Sequence, residues 1–322
     1  MALRKSRTRI GTYTFFLDSH QPFWTPPFCQ PLHVLNWRIH LIAVVASLSL
    51  ETMDDPRQER LSVENPGRIS PPEPGLYLGT CGWSYADWEG SVYPEGLPAG
   101  ARLAEYAGHY ATVEIDSTFY GPPRRSTVEK WREVVPEGFL FAAKFPKEVT
   151  HDRNLVGVEA ETDAFLRTMA ELGDRLGPLL LQLPPSFTVE GMGVLEDFLN
   201  GLPEGFRYAV EVRHRSWLGS DLPELLRERG VALTLIDYPR MPRMDEATAD
   251  FSYIRWLGDR QEFPEGHTHR KKDRDDDLVW WAGVVDRFLT EGKTVFAYAN
   301  NHYQNHSPST LEQFLELRRG DG

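Results

Sequence analysis

Glu114, Lys144 and Glu211 each stand at the end of an apolar run, a setting in which a side chain is fixed in place and can still meet a ligand. Two carboxylates brought together raise the proton affinity of one of them. Glu114 and Glu211 are therefore a candidate acid/base pair, one donating while the other accepts. Lys144, Arg213 and Arg255 supply the positive charge that neutralises a phosphate, a carboxylate or a developing oxyanion. Gln182 and Asn300 can orient neutral polar groups. Asp116, Asp237, Asn301 and His302 follow or end further apolar runs and complete a candidate binding set. A second chemistry uses Glu114, Glu211, Asp237 and His302 as mainly oxygen ligands for Mg²⁺ or Mn²⁺. No His-x-His or His-Glu-x-x-His spacing supports a histidine-rich centre, so a divalent metal is an option and no cofactor is firmly implied.

The densest stretch is Gly79-Thr-Cys-Gly-Trp-Ser-Tyr-Ala-Asp-Trp88, just after the apolar Leu76-Tyr-Leu78. Its glycines permit close approach of backbone, and Trp83, Ser84, Tyr85 and Trp88 offer flat and polar surface to a ligand. Each of these residues also has a plain packing role open to it. Glu211 and Arg213 lie on one side of an ideal strand and can form a salt bridge. Trp217 reads as packing, and Cys81 as a small buried side chain without a Cys/His nucleophile arrangement.

These residues need elements to hold them. Strand-like runs occur at 76–80, 112–116, 139–144, 178–183, 207–212, 232–236, 252–256 and 294–298, rich in β-branched, leucine or aromatic residues. Helical patterns fall between them at 101–109, 127–134, 158–172, 194–199, 222–229 and 278–289, with a last one at 311–317. Eight such units in about 245 residues predict an α/β fold, a single (β/α)8 TIM-like barrel. The sixth unit, Asp237-Tyr-Pro-Arg-Met-Pro-Arg243, is a poor helix and reads as a loop. The mixed-charge run from His269 to Asp277 reads as a solvated surface insertion. A doubly wound sheet is the competing fold, but no Gly-x-Gly-x-x-Gly opens a first helix. In a barrel the strand ends converge on one rim, so the polar residues above become neighbours.

The chain has 322 residues and a formal charge of −12. Residues 1–65 hold seven basic and six acidic side chains, so the acid excess lies in the remainder. An acidic body argues against a general nucleic-acid binder. Cys29 and Cys81 make no disulfide framework, and the chain reads as reduced and cytoplasmic. The apolar run 41–46 is too short for a bilayer span, which needs about 20 residues, so no membrane association is expected. The composition of the first segment differs sharply from that of the remainder. Residues 1–72 read as a poorly ordered or non-native extension, with Met53 a sensible start, and 73–319 as the barrel.

The motifs resemble the DUF72, or YecE-like, family, whose biochemical function is not established. The resemblance runs from about Leu76 to Leu317. It rests on the Gly79–Trp88 stretch, Tyr93-Pro-Glu-Gly-Leu-Pro98, Val113-Glu-Ile-Asp-Ser-Thr-Phe-Tyr120 and Lys144-Phe-Pro-Lys-Glu-Val-Thr-His151. It continues in Leu176–Phe187, in Tyr208-Ala-Val-Glu-Val-Arg-His-Arg-Ser-Trp217 and in Ala297–His306. It implies a TIM-like barrel, as the strand count does. This chain departs from the family pattern at Cys81, where serine is common, and at Asp116, where asparagine is common. Arg255-Trp-Leu-Gly258 lacks a histidine usual before the glycine, and Asn305 replaces a glycine; identical substrate recognition therefore does not carry over.

Together these readings point to an enzyme acting at the barrel mouth on a small polar or anionic metabolite, a sugar or phosphorylated compound. The alternatives are a metal-dependent hydrolase or isomerase, and a non-catalytic protein that binds a metabolite or a single-stranded nucleic-acid segment.

Overall fold

The computed structural model describes residues 73–320; the extension expected at 1–72 lies outside the described residues. Eight strands alternate with helices. They are β1 (Leu76–Thr80), β2 (Thr112–Ile115), β3 (Leu140–Lys144), β4 (Leu176–Gln182), β5 (Tyr208–Glu211), β6 (Ala232–Asp237), β7 (Phe251–Trp256) and β8 (Thr294–Ala299). The helices are α1 (Arg102–His109), α2 (Arg125–Val134), α3 (Glu159–Ala170), α4 (Met192–Asn200), α5 (Leu222–Glu228), α6 (Asp275–Thr290) and α7 (Ser307–Arg319). Every expected strand and helix is present, and no helix joins β6 to β7. The run ending at Asp277 needs correction. Asp275, Asp276 and Asp277 form the first turn of α6, where carboxylates meet the positive end of the helix dipole. No described helix is long and apolar enough to cross a membrane.

All strand pairs are parallel, in the order β1-β8-β7-β6-β5-β4-β3-β2. The remaining seam, between β1 and β2, closes through a bridge between Cys81 and Glu114 and the Gly82 N–H donating to the Glu114 carbonyl at 2.8 Å. The result is the (β/α)8 barrel that the apolar runs predict.

Strand periodicity divides the buried side chains into two sets. One set faces the helices and forms the large outer core: Val113, Phe141, Leu179, Leu181, Val210, Leu233, Leu235, Ile254 and Ala297 among others. The alternate residues fill the barrel: Ala142, Leu180, Ala209, Ala232, Phe251, Tyr253, Phe296 and Tyr298. Continuing that inward alternation to the strand ends brings up Cys81, Glu114 and Asp116, Lys144, Gln182, Glu211 and Arg255. The rim is thus the next layer of the barrel's own stacking.

Gly79 belongs to the inward set on β1, and the seam depends on it. A Cβ there would lie 2.1 Å from the Thr112 carbonyl oxygen and 2.8 Å from its carbon. That neighbour is backbone, so the strands would have to part where the barrel closes. Gly79→Ala is expected to lower unfolding free energy by about 3 kcal/mol, the upper end for overpacking, as read by urea denaturation. A loss below about 1 kcal/mol would mean that the seam yields freely.

Candidate functional site

Arg255 is the centre of the rim. Its guanidinium donates to Glu114 Oε1 at 2.6 Å and to Glu211 Oε2 at 2.7 Å, and one nitrogen lies 3.8 Å from Asp116 Oδ1. Arg255 is 3% exposed and both glutamates are fully buried. The second oxygen of Glu211 accepts from Arg213 Nε, and the second oxygen of Glu114 accepts from the Tyr253 hydroxyl at 2.7 Å. Buried charges survive only when paired and hydrogen-bonded in this way.

The two glutamates are therefore not the mutually repelling pair expected from the sequence. Burial acts to raise Glu211, but Arg213 and Arg255 outweigh it and hold its carboxyl at about 2. In Glu114 burial is likewise outweighed, chiefly by the charge and hydrogen bond of Arg255, with the Tyr253 hydroxyl adding to it. Both are ionised acceptors. The rim carboxyl with raised proton affinity is Asp116, pushed up toward about 7 by partial burial and by Glu114, with solvent at its open side screening part of that effect. Its side chain keeps 37% of its surface accessible. Lys144 moves the other way: burial and Arg255 pull its ammonium below the ordinary lysine range. Burial and Glu114 push the Cys81 thiol up.

Cys81, Glu114 and Asp116 each present one ligand atom, all within 4.8 Å of one another. This group replaces the metal set read from the sequence, of which it keeps only Glu114. Asp237 has the parity of Leu233 and Leu235, so it faces the helices. There it accepts from Trp281 Nε1 and the Tyr303 hydroxyl, both at 2.9 Å, with Arg243 at 3.4 Å. His302 Nδ1 bonds to the Phe263 carbonyl at 2.6 Å, and its ring packs against His267. Cys81 escaped selection because its partner Glu114 is brought near by barrel closure, which sequence spacing does not reveal.

The other expected residues divide between rim and packing. Gln182 turns inward and its amide nitrogen donates to the Leu183 carbonyl at 3.1 Å. Arg213 stacks on Tyr238, its guanidinium 4.4 Å from the ring centre. Tyr85 is half-buried and donates to the Cys81 carbonyl at 2.7 Å, bracing the β1 exit. Ser84 is exposed beside it. Trp83 packs edge-on against Trp131, and fully buried Trp88 is enclosed by Tyr85, Tyr93 and Tyr106. Asn300 Oδ1 accepts from the His302 N–H at 3.0 Å. Asn301 ties down the first residue of α7, accepting from the Ser307 N–H at 2.9 Å and its hydroxyl at 2.7 Å, beside the N-cap His306. Among the described residues the sequence reading missed Tyr253, Phe119 and His151. Tyr253 could have been found by parity, two residues before Arg255. Phe119 lies under Lys144, with Nζ 4.2 Å from its ring centre. His151 ends the Lys144–His151 motif in a wide turn over Glu148–Asp152.

A family model described as "Protein of unknown function DUF72" matches residues 77–321. The YecE protein of Escherichia coli K12 is 34% identical over 168 residues, which cover 50% of this chain and 59% of that relative. The chain thus matches less than two thirds of YecE's length. YunF of Bacillus subtilis is 24% identical over 272 residues, covering 75% of this chain and 94% of YunF. A crystal structure of a DUF72 family protein from Thermotoga maritima superposes with a TM-score of 0.64 at 26% identity, covering 77% of this chain and 99% of the other. One from Enterococcus faecalis, at 22% identity and a TM-score of 0.63, covers 76% and 95% and shares the fold.

Proposed function

The chain belongs to the DUF72 family, and we propose that its barrel mouth is the site of a metal-assisted enzyme, a hydrolase or isomerase of a small polar or anionic metabolite. The observation that carries this reading is the convergence of Cys81, Glu114 and Asp116 within 4.8 Å at the end of β1 and β2. The donor chemistry fits a divalent cation. Arg255 Nη2 approaches all three donors, at 2.6 Å from Glu114, 3.8 Å from Asp116 and 3.9 Å from Cys81, so a bound ion would share the Asp116 and Cys81 side with that guanidinium. Glu114 accepts one bond on each oxygen and retains a further lone pair on each. A thiolate beside two carboxylates suits a Zn²⁺-class ion better than Mg²⁺. Such an ion would supply Lewis acidity to a bound oxygen.

The surrounding residues divide the remaining work. Arg255 holds Glu114 and Glu211 ionised and fixed, while Tyr253 orients Glu114 from below. Lys144, with its proton affinity lowered by burial and by Arg255, is the residue suited to pass a proton to or from substrate. Arg213, beside it, holds negative charge on the substrate.

Cation binding must displace protons from Asp116 and Cys81. Asp116 is held near 7, so apparent Zn²⁺ affinity is expected to rise from pH 6 to pH 8. Asp116→Asn is expected to weaken binding by at least about tenfold and to lower the steepness of that dependence, leaving the share due to Cys81. Titration with a competing chromophoric chelator measures both. Stoichiometric binding that ignores both pH and the substitution would overturn the assignment. A metal-free acid/base enzyme is the second reading, favoured by Arg255 already neutralising Glu114. There Asp116 and Lys144 exchange the protons, and turnover survives exhaustive chelation. Ligand binding without turnover, with metal supplied, would instead make the mouth a receptor site.

A further inference from the structure

The side of the mouth formed by β3, β4 and β5 carries two cations that no carboxylate fully satisfies. Lys144 Nζ rests on the Phe119 ring and makes no ion pair among the described residues. Arg213 spends Nε on Glu211 and its face on Tyr238, leaving its two terminal nitrogens without a protein partner among the described residues. Between them and the turn after β3 stand Gln182 and His151, with 3.5 Å between the Gln182 amide nitrogen and His151 Nε2.

The Gln182 amide nitrogen, a donor to the Leu183 carbonyl, also faces His151 Nε2, which assigns Nε2 as the acceptor and the ring proton to Nδ1. The Thr150 hydroxyl has one proton and donates it to the Pro146 carbonyl at 3.2 Å. Its contact with His151 Nδ1, at 2.8 Å, is then a bond that Nδ1–H donates. The Nε2 lone pair faces the Gln182 amide nitrogen at 3.5 Å, the limit of a hydrogen bond, and a substrate hydroxyl at closer range would take that place. Burial and the charge of Lys144 hold the imidazolium form down, to about 4, so the ring is neutral at physiological pH. The ring is also clamped edge-on against Phe119, centroids 4.9 Å apart. Phe119 is itself anchored through Thr118, whose hydroxyl accepts from the Lys144 N–H at 3.1 Å and shares its one proton between the Ile115 and Lys144 carbonyls, 2.8 and 2.7 Å away. A rigid neutral acceptor thus stands beside two cations.

Resting on the metabolite-enzyme reading above, we propose that His151 is a specificity-determining residue that accepts a hydrogen bond from a substrate hydroxyl close to an oxyanion held by Lys144 and Arg213. The substrate class is then a hydroxylated organic anion, of the sugar-phosphate or hydroxy-acid type, and not a bare anion. The anion satisfies the two cations; the hydroxyl is selected because its absence leaves Nε2 without a donor from the ligand.

The test compares methyl phosphate with glycerol 3-phosphate by calorimetry on the full chain. Glycerate against propionate assigns the oxyanion as phosphate or carboxylate. The native protein is expected to prefer the hydroxylated partner of one pair by about fivefold to tenfold, the scale of one hydrogen bond. His151→Phe should abolish the preference while still binding the unhydroxylated anion, and His151→Gln, which keeps an acceptor, should restore part of it. In ¹⁵N spectra the Nε2 signal should move with the hydroxylated ligand and not with its counterpart. Equal binding of both members, or a preference that survives His151→Phe in a protein with normal melting, would overturn the proposal. Failure of all four probes to bind would overturn it as well. Zn²⁺ affinity measured on the same preparations should be unchanged by either substitution, so failure of the metal reading shows separately.

Discussion

Replacing Arg255 by methionine is expected to cost about 3–5 kcal/mol of folding stability, the scale for breaking a buried ion pair from one side. Methionine fills most of the volume, so the loss reports charge and hydrogen bonding. Glu211 would keep Arg213, but Glu114 would be left fully buried with the Tyr253 hydroxyl and the more distant Lys144. The contribution of Glu114 to the pH dependence should reverse with it. In the native protein Glu211 titrates at about 2 against an ordinary 4.5, and Glu114 is also lowered. Their contribution is present above about 4.5 and is lost as pH falls toward 2. In Arg255→Met burial is no longer outweighed at Glu114, whose proton affinity rises above its unfolded value. The variant should then gain more stability between pH 7 and pH 5 than the native protein, in which Asp116 alone of the rim carboxyls gains over that range. Urea unfolding at the two pH values reads both effects. A loss under about 1 kcal/mol at pH 7, or parallel pH curves, would show that Arg255 is not the keystone of the rim. Arg255→Lys is expected to fall between, since an ammonium cannot span both carboxylates as the planar fork does.

The barrel was legible because parallel strands covered on both faces are written as apolar runs, and because each run here ends in a polar residue. Seven of those endings do meet at the mouth: Glu114, Asp116, Lys144, Gln182, Glu211, Arg213 and Arg255. The exceptions follow from parity. Asp237 alternates with Leu233 and Leu235, and Asn301 with Ala297 and Ala299; both therefore turn toward the helices and serve Trp281, Tyr303 and Ser307. What sequence could not reveal is pairing across the barrel. Arg255 follows Glu114 by 141 positions, and only strand order and closure put its guanidinium between the two glutamates. That one placement inverts the electrostatic expectation, from a pair of competing acids to two fixed anions, and shifts the raised carboxyl to Asp116. Closure at the β1–β2 seam likewise makes Cys81 a neighbour of Glu114. His151 was hidden for another reason: a wide turn has no periodicity from which to read where its side chain points.

Lys144→Met is expected to lower turnover by roughly 10²–10⁴, the usual scale for a positioned proton-transfer group, with little change in melting temperature. Lys144 forms no ion pair among the described residues, so removing its charge leaves no buried carboxylate newly unpaired, and methionine keeps a long side chain on the Phe119 ring. Glu211→Gln is expected to behave in the opposite way. Glu211 is fully buried and is the shared acceptor of Arg213 and Arg255. An amide offers one acceptor oxygen where the carboxylate offers two, so one guanidinium loses its partner and stability falls by about 3 kcal/mol. A group held at about 2 is almost never protonated near neutral pH, which makes it a poor proton donor. Once a metabolite that turns over has been found, turnover per folded molecule and urea unfolding should be measured on both variants. Near-normal turnover in Lys144→Met would remove Lys144 from the reaction. Turnover lost in Glu211→Gln at unchanged stability would make Glu211 the catalytic group and leave Lys144 a binding charge. The two residues cannot exchange these outcomes without overturning the electrostatics of the rim, because Arg213 and Arg255 hold the glutamate ionised while burial and Arg255 lower the lysine.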